Sequence, residues 1–368
     1  MQSFQIKNGE LHAENVPLST IAAEFGTPTY VYSKEALTSA FKRFDAGFSG
    51  TDHLVCFAVK SNPSLAILNL FAQLGAGFDI VSGGELARVI AAGGDPSKVV
   101  FSGVGKTEAE MRAALEAGIF CFNVESAAEL ERLNTVAGSM GKIAPVSLRV
   151  NPNVDAKTHP YISTGLKNNK FGVAYEEALS LYQGAAKMPN IEIHGVDCHI
   201  GSQLTELSPF LDALDRVLVL VDQLEAAGIP IQHIDAGGGI GICYSDETPP
   251  DFAEYAKAMR QKMAGRKVKL VFEPGRALEN NATLKLTHGC FTEGLFKTCI
   301  GNDGIRLDFA AHKLLVHTTL VSSFLDNLVD GDAHGVDGLE FSPKSVEVPV
   351  ISVTFTGVNG EDFIHDVF

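Results

Sequence analysis

Tryptophan is absent from the 368 residues. No apolar run approaches the roughly 20 residues that a membrane-spanning helix needs. The N-terminus, MQSFQIKNGELHAEN, lacks the basic patch and apolar stretch of a signal peptide. Basic residues are the minority: 29 Lys and Arg stand against 44 Asp and Glu, a formal net charge of −15. That balance argues against nucleic-acid binding, which needs a basic face to meet phosphate. Cysteines are few and scattered. Cys56, Cys121, Cys198, Cys243, Cys290 and Cys299 form no C-x-x-C pair and no zinc-ligand spacing, so no metal is expected. They read as reduced thiols in a cytoplasmic protein. Cys56, Cys121 and Cys198 lie in apolar strand-like runs, which fits core positions better than chemistry. No internal repeat or low-complexity tract is present.

The length favours one large domain plus a smaller one. Asn8-Gly9 sits between Phe4, Ile6 and Leu11, a hairpin signal. A β/α alternation then begins and holds to about residue 278. Its strand-like runs are LVCFAV (54–59), FDIVS (78–82), KVVFS (98–102), IFCFNV (119–124), PVSLRV (145–150), EIHGVDCH (192–199), IQHIDA (231–236) and VKLVFE (268–273). Helical stretches separate them. Phe210, Leu211, Leu214, Val217, Leu218, Val221 and Leu224 form an apolar stripe that predicts a helix over 207–224, and a second helix runs from Phe252 through Met263. Several strands are apolar almost throughout, as buried parallel strands are. Eight such units fit a (β/α)₈ barrel of TIM type, typically ~250 residues long. A doubly wound open sheet is the alternative, but FAVKSNPS after the first strand is not a glycine-rich phosphate loop. Beyond residue 278 the alternation stops, and only SVEVPVISVTFTG near the end reads firmly as strand.

Barrel enzymes place reactive groups where strands end and βα loops begin. The first strand runs into Lys60. An amine at an apolar strand mouth is partly desolvated, which would lower its pKa and make it a Schiff-base nucleophile; a solvated, snorkelling lysine is the competing reading. The second run holds Asp79 and opens on Gly83-Gly84, which by itself is also an ordinary tight turn. The fifth leads through Arg149 into a long polar connection carrying His159 and Lys170, of the length that binding loops have. The sixth ends on His199, followed by Gly201 and Ser202; with no second histidine at helical spacing, the metal reading is weak. The seventh ends in Gly237, Gly238 and Gly239, the best anion cradle in the chain. The eighth ends in Glu273, Gly275 and Arg276, where carboxylate and guanidinium also have the option of simply pairing. SGVGKT (102–107) is not a P-loop, because position 100 holds valine where glycine is required. Each feature alone has a bland explanation. Together they supply what pyridoxal 5′-phosphate needs: an amine, phosphate donors, an acid for the ring nitrogen and a flat face against the ring.

FAVKSNPS, GFDIVSGGEL, RVNPNVDAKTHPYISTGLKNNKFG, HIGSQ, DAGGGIGI and FEPGRA, in this order, resemble the diaminopimelate decarboxylases, which are pyridoxal-phosphate barrels of the alanine-racemase-like class. The resemblance covers about residues 5–278 and implies the following roles. Lys60 bonds the cofactor's aldehyde, His199 packs on the ring face, and Glu273 meets the pyridine nitrogen. Ser202, Gly237, Gly238 and Gly239 bind the phosphate, with Gly275 and Arg276 beside it. Asp79 and Arg149 lie near the cofactor. Arg276 and His159, the latter in the family's mobile loop, contact substrate. The implied reaction is loss of carbon dioxide from meso-2,6-diaminopimelate to give L-lysine, in a cytoplasmic homodimer without nucleic-acid or membrane partners. The implied division is N-terminal strands at 1–33, barrel at 34–278 and a divergent segment at 279–368. That last segment lacks the family's arginine-proline motif, its Cys-Glu-Ser-x-Asp segment and its late tyrosine: Arg306 precedes leucine, Cys299 precedes Ile-Gly-Asn-Asp, and no tyrosine follows Tyr255. Two other readings therefore stand beside the first. One is a decarboxylase of ornithine, arginine or a carboxylated polyamine; the other is a cofactor-binding barrel whose altered tail leaves it with little or no turnover.

Overall fold

The computed structural model describes residues 3–154, 171–244, 247–280 and 282–286, together with the backbone of 297–301 and 304–308. All eight strand-like runs form strands: His53–Ala58, Gly77–Ile80, Val99–Phe101, Cys121–Val124, Ala144–Asn151, Ile191–Asp197, His233–Asp235 and Lys269–Phe272. Each pairs in parallel with its successor. The eighth pairs with the first through Leu270↔His53, Val271↔Leu54 and Phe272↔Val55, so the sheet closes into the expected (β/α)₈ barrel and the open-sheet alternative falls.

Several strands stop short of the apolar run that announced them, because its last residues are already building the rim. Ser82 does not extend the second strand; its hydroxyl caps the helix Gly83–Ala91 by accepting from the Glu85 amide. Thr107 and Glu110 close a reciprocal capping box on the helix Glu108–Ala117. Lys60 lies beyond its strand, in the 3₁₀ turn Val59–Ser61.

The long amphipathic helix spans Ser208–Ala226, and Phe210, Leu214, Val217, Leu218, Val221 and Leu224 are its buried face, as their spacing requires. Leu211, at the margin of that stripe, is only half-buried. The helices Lys34–Gly47 and Phe252–Lys262 clamp the last barrel strand through an aromatic group. Phe44 meets Phe272 edge-on at 5.6 Å, and Tyr255 meets Phe44 and Phe272 at 6.2 and 6.1 Å.

Lys34–Ala282 form one compact unit; a second joins the stretch ending at Ser33 to the chain from Thr283 onward. In the second unit Phe4–Lys7 and Glu10–Ala13 form the expected hairpin. Asn8 and Gly9 both take positive φ (53° and 83°), which a two-residue turn matching strand twist demands. Thr29–Tyr32 pairs antiparallel with Thr283–Leu286, and Phe4, Ala13, Leu18, Val31 and Leu286 make a small core. The backbone of Lys297–Gly301 pairs antiparallel with Gly304–Asp308. These late strands correct the expectation that only the SVEVPVISVTFTG stretch is strand; that stretch itself lies outside the described residues. Among the described residues no helix is long and apolar enough to cross a membrane.

Candidate active site

The C-terminal ends of the barrel strands bring most of the candidate residues to one rim. Lys60 Nζ donates to Asp79 Oδ2 at 3.0 Å. Asp79 is fully buried and its Oδ1 has no partner among the described residues. Burial alone would lower the Lys60 pKa, as expected from sequence, but the Asp79 carboxylate and then Glu273 outweigh it, and the net shift is upward. The resting amine is therefore held protonated, which corrects the expectation of a depressed pKa. The Lys60 side chain is 46 % exposed, so water screens the pair.

Below the rim lies a group of acids. Carboxylate oxygens of Asp197, Asp235 and Glu273 all fall within 4.8 Å of one another, and all three residues are buried. Glu273 Oε1 accepts from Ser102 Oγ at 3.2 Å and from Asn123 Nδ2 at 3.1 Å. Asp235 accepts the Gly237 amide on Oδ1 at 2.9 Å and Asn123 Nδ2 on Oδ2 at 3.3 Å, while Asp197 Oδ1 has no partner among the described residues. Burial first, and then the Asp235 and Asp79 charges, push the Glu273 carboxyl well above its usual range. Asp235 is pushed up to about 8 by burial and then by Asp197. Asp197 rises for the same reasons, burial and then Glu273. Three carboxylates this close and dry cannot all be charged.

His199 is held neutral, mainly by burial and then by Arg149 and Lys60. The Gly201 amide donates to its Nδ1 at 3.2 Å, so the ring proton sits on Nε2. Gly237 and Gly239 adopt positive φ of 66° and 110°. A Cβ on Gly237 would come 2.8 Å from the Cys198 carbonyl oxygen, one on Gly238 would strike the Glu273 carbonyl, and one on Gly239 the Gly201 carbonyl. Only glycine lets these backbones approach so closely. Gly275 precedes the short helix Arg276–Glu279, against Ser61. Arg276 donates to the Tyr244 hydroxyl and, at 3.5 Å, to Ser202 Oγ; its Nε is buried without a partner among the described residues. Glu273 and Arg276 thus do not simply pair. His159 lies outside the described residues.

Five contributors escaped the sequence reading: Asp197, Asp235, Asn123, Ser102 and Glu125. One of them carried a legible signal: Asn123 is the single polar residue of its strand, CFNV, whereas Asp197 and Asp235 end strands that hold other polar residues. Glu125 accepts from Arg149 at 3.3 Å and from the Gly103 and Gly172 amides at 2.8 and 3.1 Å. Arg149 also lies over the Phe171 ring, 5.1 Å from its centroid. Behind them Lys106, the lysine of SGVGKT, is wholly buried and donates to Glu129 Oε1, Gly103 O and Asn123 O, each at 2.8 Å. Lys106→Met should strand the Glu129 carboxylate in a dry interior and cost about 3–5 kcal/mol. A fall in the urea midpoint checks this, and an unchanged midpoint would show that the pair is not needed.

Comparison with known proteins decides what this rim belongs to. Residues 34–280 match the family model described as "Pyridoxal-dependent decarboxylase, pyridoxal binding domain". A diaminopimelate decarboxylase of Pseudomonas aeruginosa is 60% identical over 287 residues, covering 78% of this chain and 69% of that protein. The chain belongs to the diaminopimelate decarboxylase family. A family member from Vibrio cholerae is 58% identical over 282 residues, 76% of this chain and 68% of that protein. The crystal structure of the Helicobacter pylori family member complexed with L-lysine superposes with a TM-score of 0.71 at 41% identity, covering 72% of this chain and 68% of that one. The family resemblance carried by the six motifs is borne out. Arg306 and Cys299, on which the reading of the tail turned, have no described side chains.

Proposed function

We propose that the chain decarboxylates meso-2,6-diaminopimelate to L-lysine and carbon dioxide, with pyridoxal 5′-phosphate held on Lys60. The observation that carries this is the convergence of a charged lysine, a glycine cradle closed to any Cβ and a proton-retaining Glu273 at one barrel mouth. These residues fit the cofactor. Lys60 would hold it by its amine, and Ser202 with the Gly237, Gly238 and Gly239 amides would take the phosphate. His199 would lie against the ring and Glu273 would face the ring nitrogen, with Gly275 and Arg276 beside the phosphate.

When bound, pyridoxal phosphate supplies the electron sink for the pair released as carbon dioxide leaves. The protein's part is to place charges and protons. Asp79 keeps Lys60 charged until a ligand enters, so Lys60 must shed a proton before its nitrogen can bond an aldehyde. Neutral His199 offers a flat face without adding charge beside Lys60 and Arg149. The Nε of Arg276, without a partner among the described residues, suits a substrate carboxylate, which needs a charged partner once it is desolvated. His159 keeps the substrate-contact role that the family resemblance implies. The homodimer and the cytoplasmic location belong to the same proposal, and the mass of the purified protein in solution tests the first.

Asp79→Asn should move the pH dependence of cofactor attachment. Attachment needs the neutral amine, so its rate rises with pH towards the Lys60 pKa. Without the carboxylate that pKa falls, and the rising limb should shift to lower pH. Stopped-flow absorbance of cofactor added to stripped protein reads it; an unmoved limb would mean that Asp79 does not hold the Lys60 proton.

Carbon dioxide release tests the reaction itself, with meso-diaminopimelate, ornithine and arginine offered in parallel. Preference for diaminopimelate is expected. Preference for ornithine or arginine would replace the substrate, and release from none of them would favour a barrel that carries its cofactor without turnover.

A further inference from the structure

We propose that Asn123 is a positioning residue for Glu273: its amide, aimed by Ser147, joins the Ser102 hydroxyl in holding Glu273 Oε1 as an acceptor and so confines the carboxyl's proton to Oε2. The part of this that concerns the cofactor rests on the assignment of Glu273 to the ring nitrogen; the part that concerns the proton stands on the barrel alone.

Asn123 is fully buried on the fourth barrel strand. Ser147 Oγ donates to its Oδ1 at 2.6 Å, which fixes the orientation of the amide and turns Nδ2 towards the acids. Ser147 Oγ in turn lies 3.4 Å from Cys121 Sγ. Burial pushes that thiol up to about 12, so it stays protonated, and the serine hydrogen is directed at Asn123. Nδ2 has two hydrogens and three acceptors in reach: Glu273 Oε1 at 3.1 Å, Ser102 Oγ at 3.2 Å and Asp235 Oδ2 at 3.3 Å. Ser102 directs its own hydrogen to Glu273 Oε1 at 3.2 Å, and the two Nδ2 hydrogens go to Glu273 and Asp235. Two donors therefore converge on one oxygen. A hydroxyl oxygen there would point its hydrogen at theirs, so a protonated Glu273 must carry its proton on Oε2. Among the described residues no hydrogen bond ends on Oε2.

The same amide bridges Asp235, so one side chain divides its donors between two carboxyls that compete for a proton. The charged and titratable groups facing Glu273 are Asp235, Asp197 and Asp79 on the seventh, sixth and second strands, Lys60 from the turn after the first strand, Arg149 on the fifth, and the protonated Cys56 thiol on the first. The three acids raise the affinity of Glu273 for a proton, and the two cations lower it. Asn123 and Ser102 set which oxygen receives it. Without the Asn123 donor the Glu273 carboxylate becomes more basic and free to turn, and it would compete with a ring nitrogen for the proton it should supply.

The test is infrared titration of the carboxyl C=O stretch in the full chain stripped of cofactor, with Glu273→Gln used to assign the Glu273 band. Asn123→Leu, similar in volume but without donors, should raise the Glu273 midpoint by about one unit, since a hydrogen bond to a charged group is being lost. Ser147→Ala frees the amide to turn while keeping it, and should shift the midpoint the same way by less. In the cofactor-loaded enzyme Asn123→Leu should lower kcat by roughly 10- to 100-fold with KM little changed. A Glu273 midpoint unmoved in folded Asn123→Leu would overturn the proposal, as would an unmoved midpoint in Ser147→Ala should the leucine variant fail to fold. If the midpoint moves but Glu273→Gln retains full turnover, the ring-nitrogen assignment fails while the positioning of Glu273 by Asn123 stands.

Discussion

Lys60→Ala is expected to fold, to bind pyridoxal phosphate only reversibly, and to lose at least about 10³-fold in carbon dioxide release from diaminopimelate. Lys60 stands at the mouth of the barrel, partly exposed, beside the buried Asp79 carboxylate. Lys106, behind the rim, is wholly buried, and its amine already donates to three oxygens. Removing Lys60 leaves Asp79 buried without its cation, so part of any loss is one of stability. Asp79→Asn in the same chain removes that charge. The double variant should therefore regain stability while remaining without turnover, which separates the chemical role from the structural one. Dialysis followed by absorbance shows whether cofactor is retained, and a manometric or isotopic assay shows turnover. Firm retention of cofactor through denaturation in Lys60→Ala would place the covalent site elsewhere.

Glu273→Gln should lower turnover by ~10²–10³ while cofactor binding changes much less. The amide fills the same volume and still reaches a ring nitrogen, but it holds no negative charge to keep that nitrogen protonated. A second effect has a definite sign. Burial raises the Glu273 pKa above its ordinary value of 4.5, so the folded chain binds a proton there that the unfolded chain releases. Stability of the stripped protein should then be full below that value and fall as pH rises towards the folded pKa. Glu273→Gln should abolish this share of the fall, giving a more stable stripped protein at neutral pH and no gain in acid. Urea unfolding at several pH values reads it. Undiminished turnover, or a stability difference that grows towards acid, would show that Glu273 has another environment.

The barrel was legible because its signal is local. Runs such as VKLVFE and KVVFS are apolar on both faces and separated by helices whose stripes, as in Phe210 to Leu224, repeat every three or four residues. The rim was legible as residue types at strand ends. What the sequence could not show was which groups face each other. Asp79 stands 19 positions from Lys60, and only closure of the sheet brings its oxygen to 3.0 Å, reversing the expected shift of the amine. Asn123 and Glu273 are 150 positions apart and meet only inside the closed barrel. The pairing of Thr283–Leu286 with Thr29–Tyr32 is of the same kind: four residues carry too short a pattern to announce a partner some 250 positions away.

The central claim, that this barrel fixes its cofactor on Lys60, is tested most directly by borohydride reduction of the cofactor-loaded protein followed by peptide mapping. The expected result is one pyridoxyl group, on Lys60, in the peptide that carries FAVKSNPS. A pyridoxyl group on any other lysine, or none on a protein that nevertheless releases carbon dioxide from diaminopimelate, would contradict it.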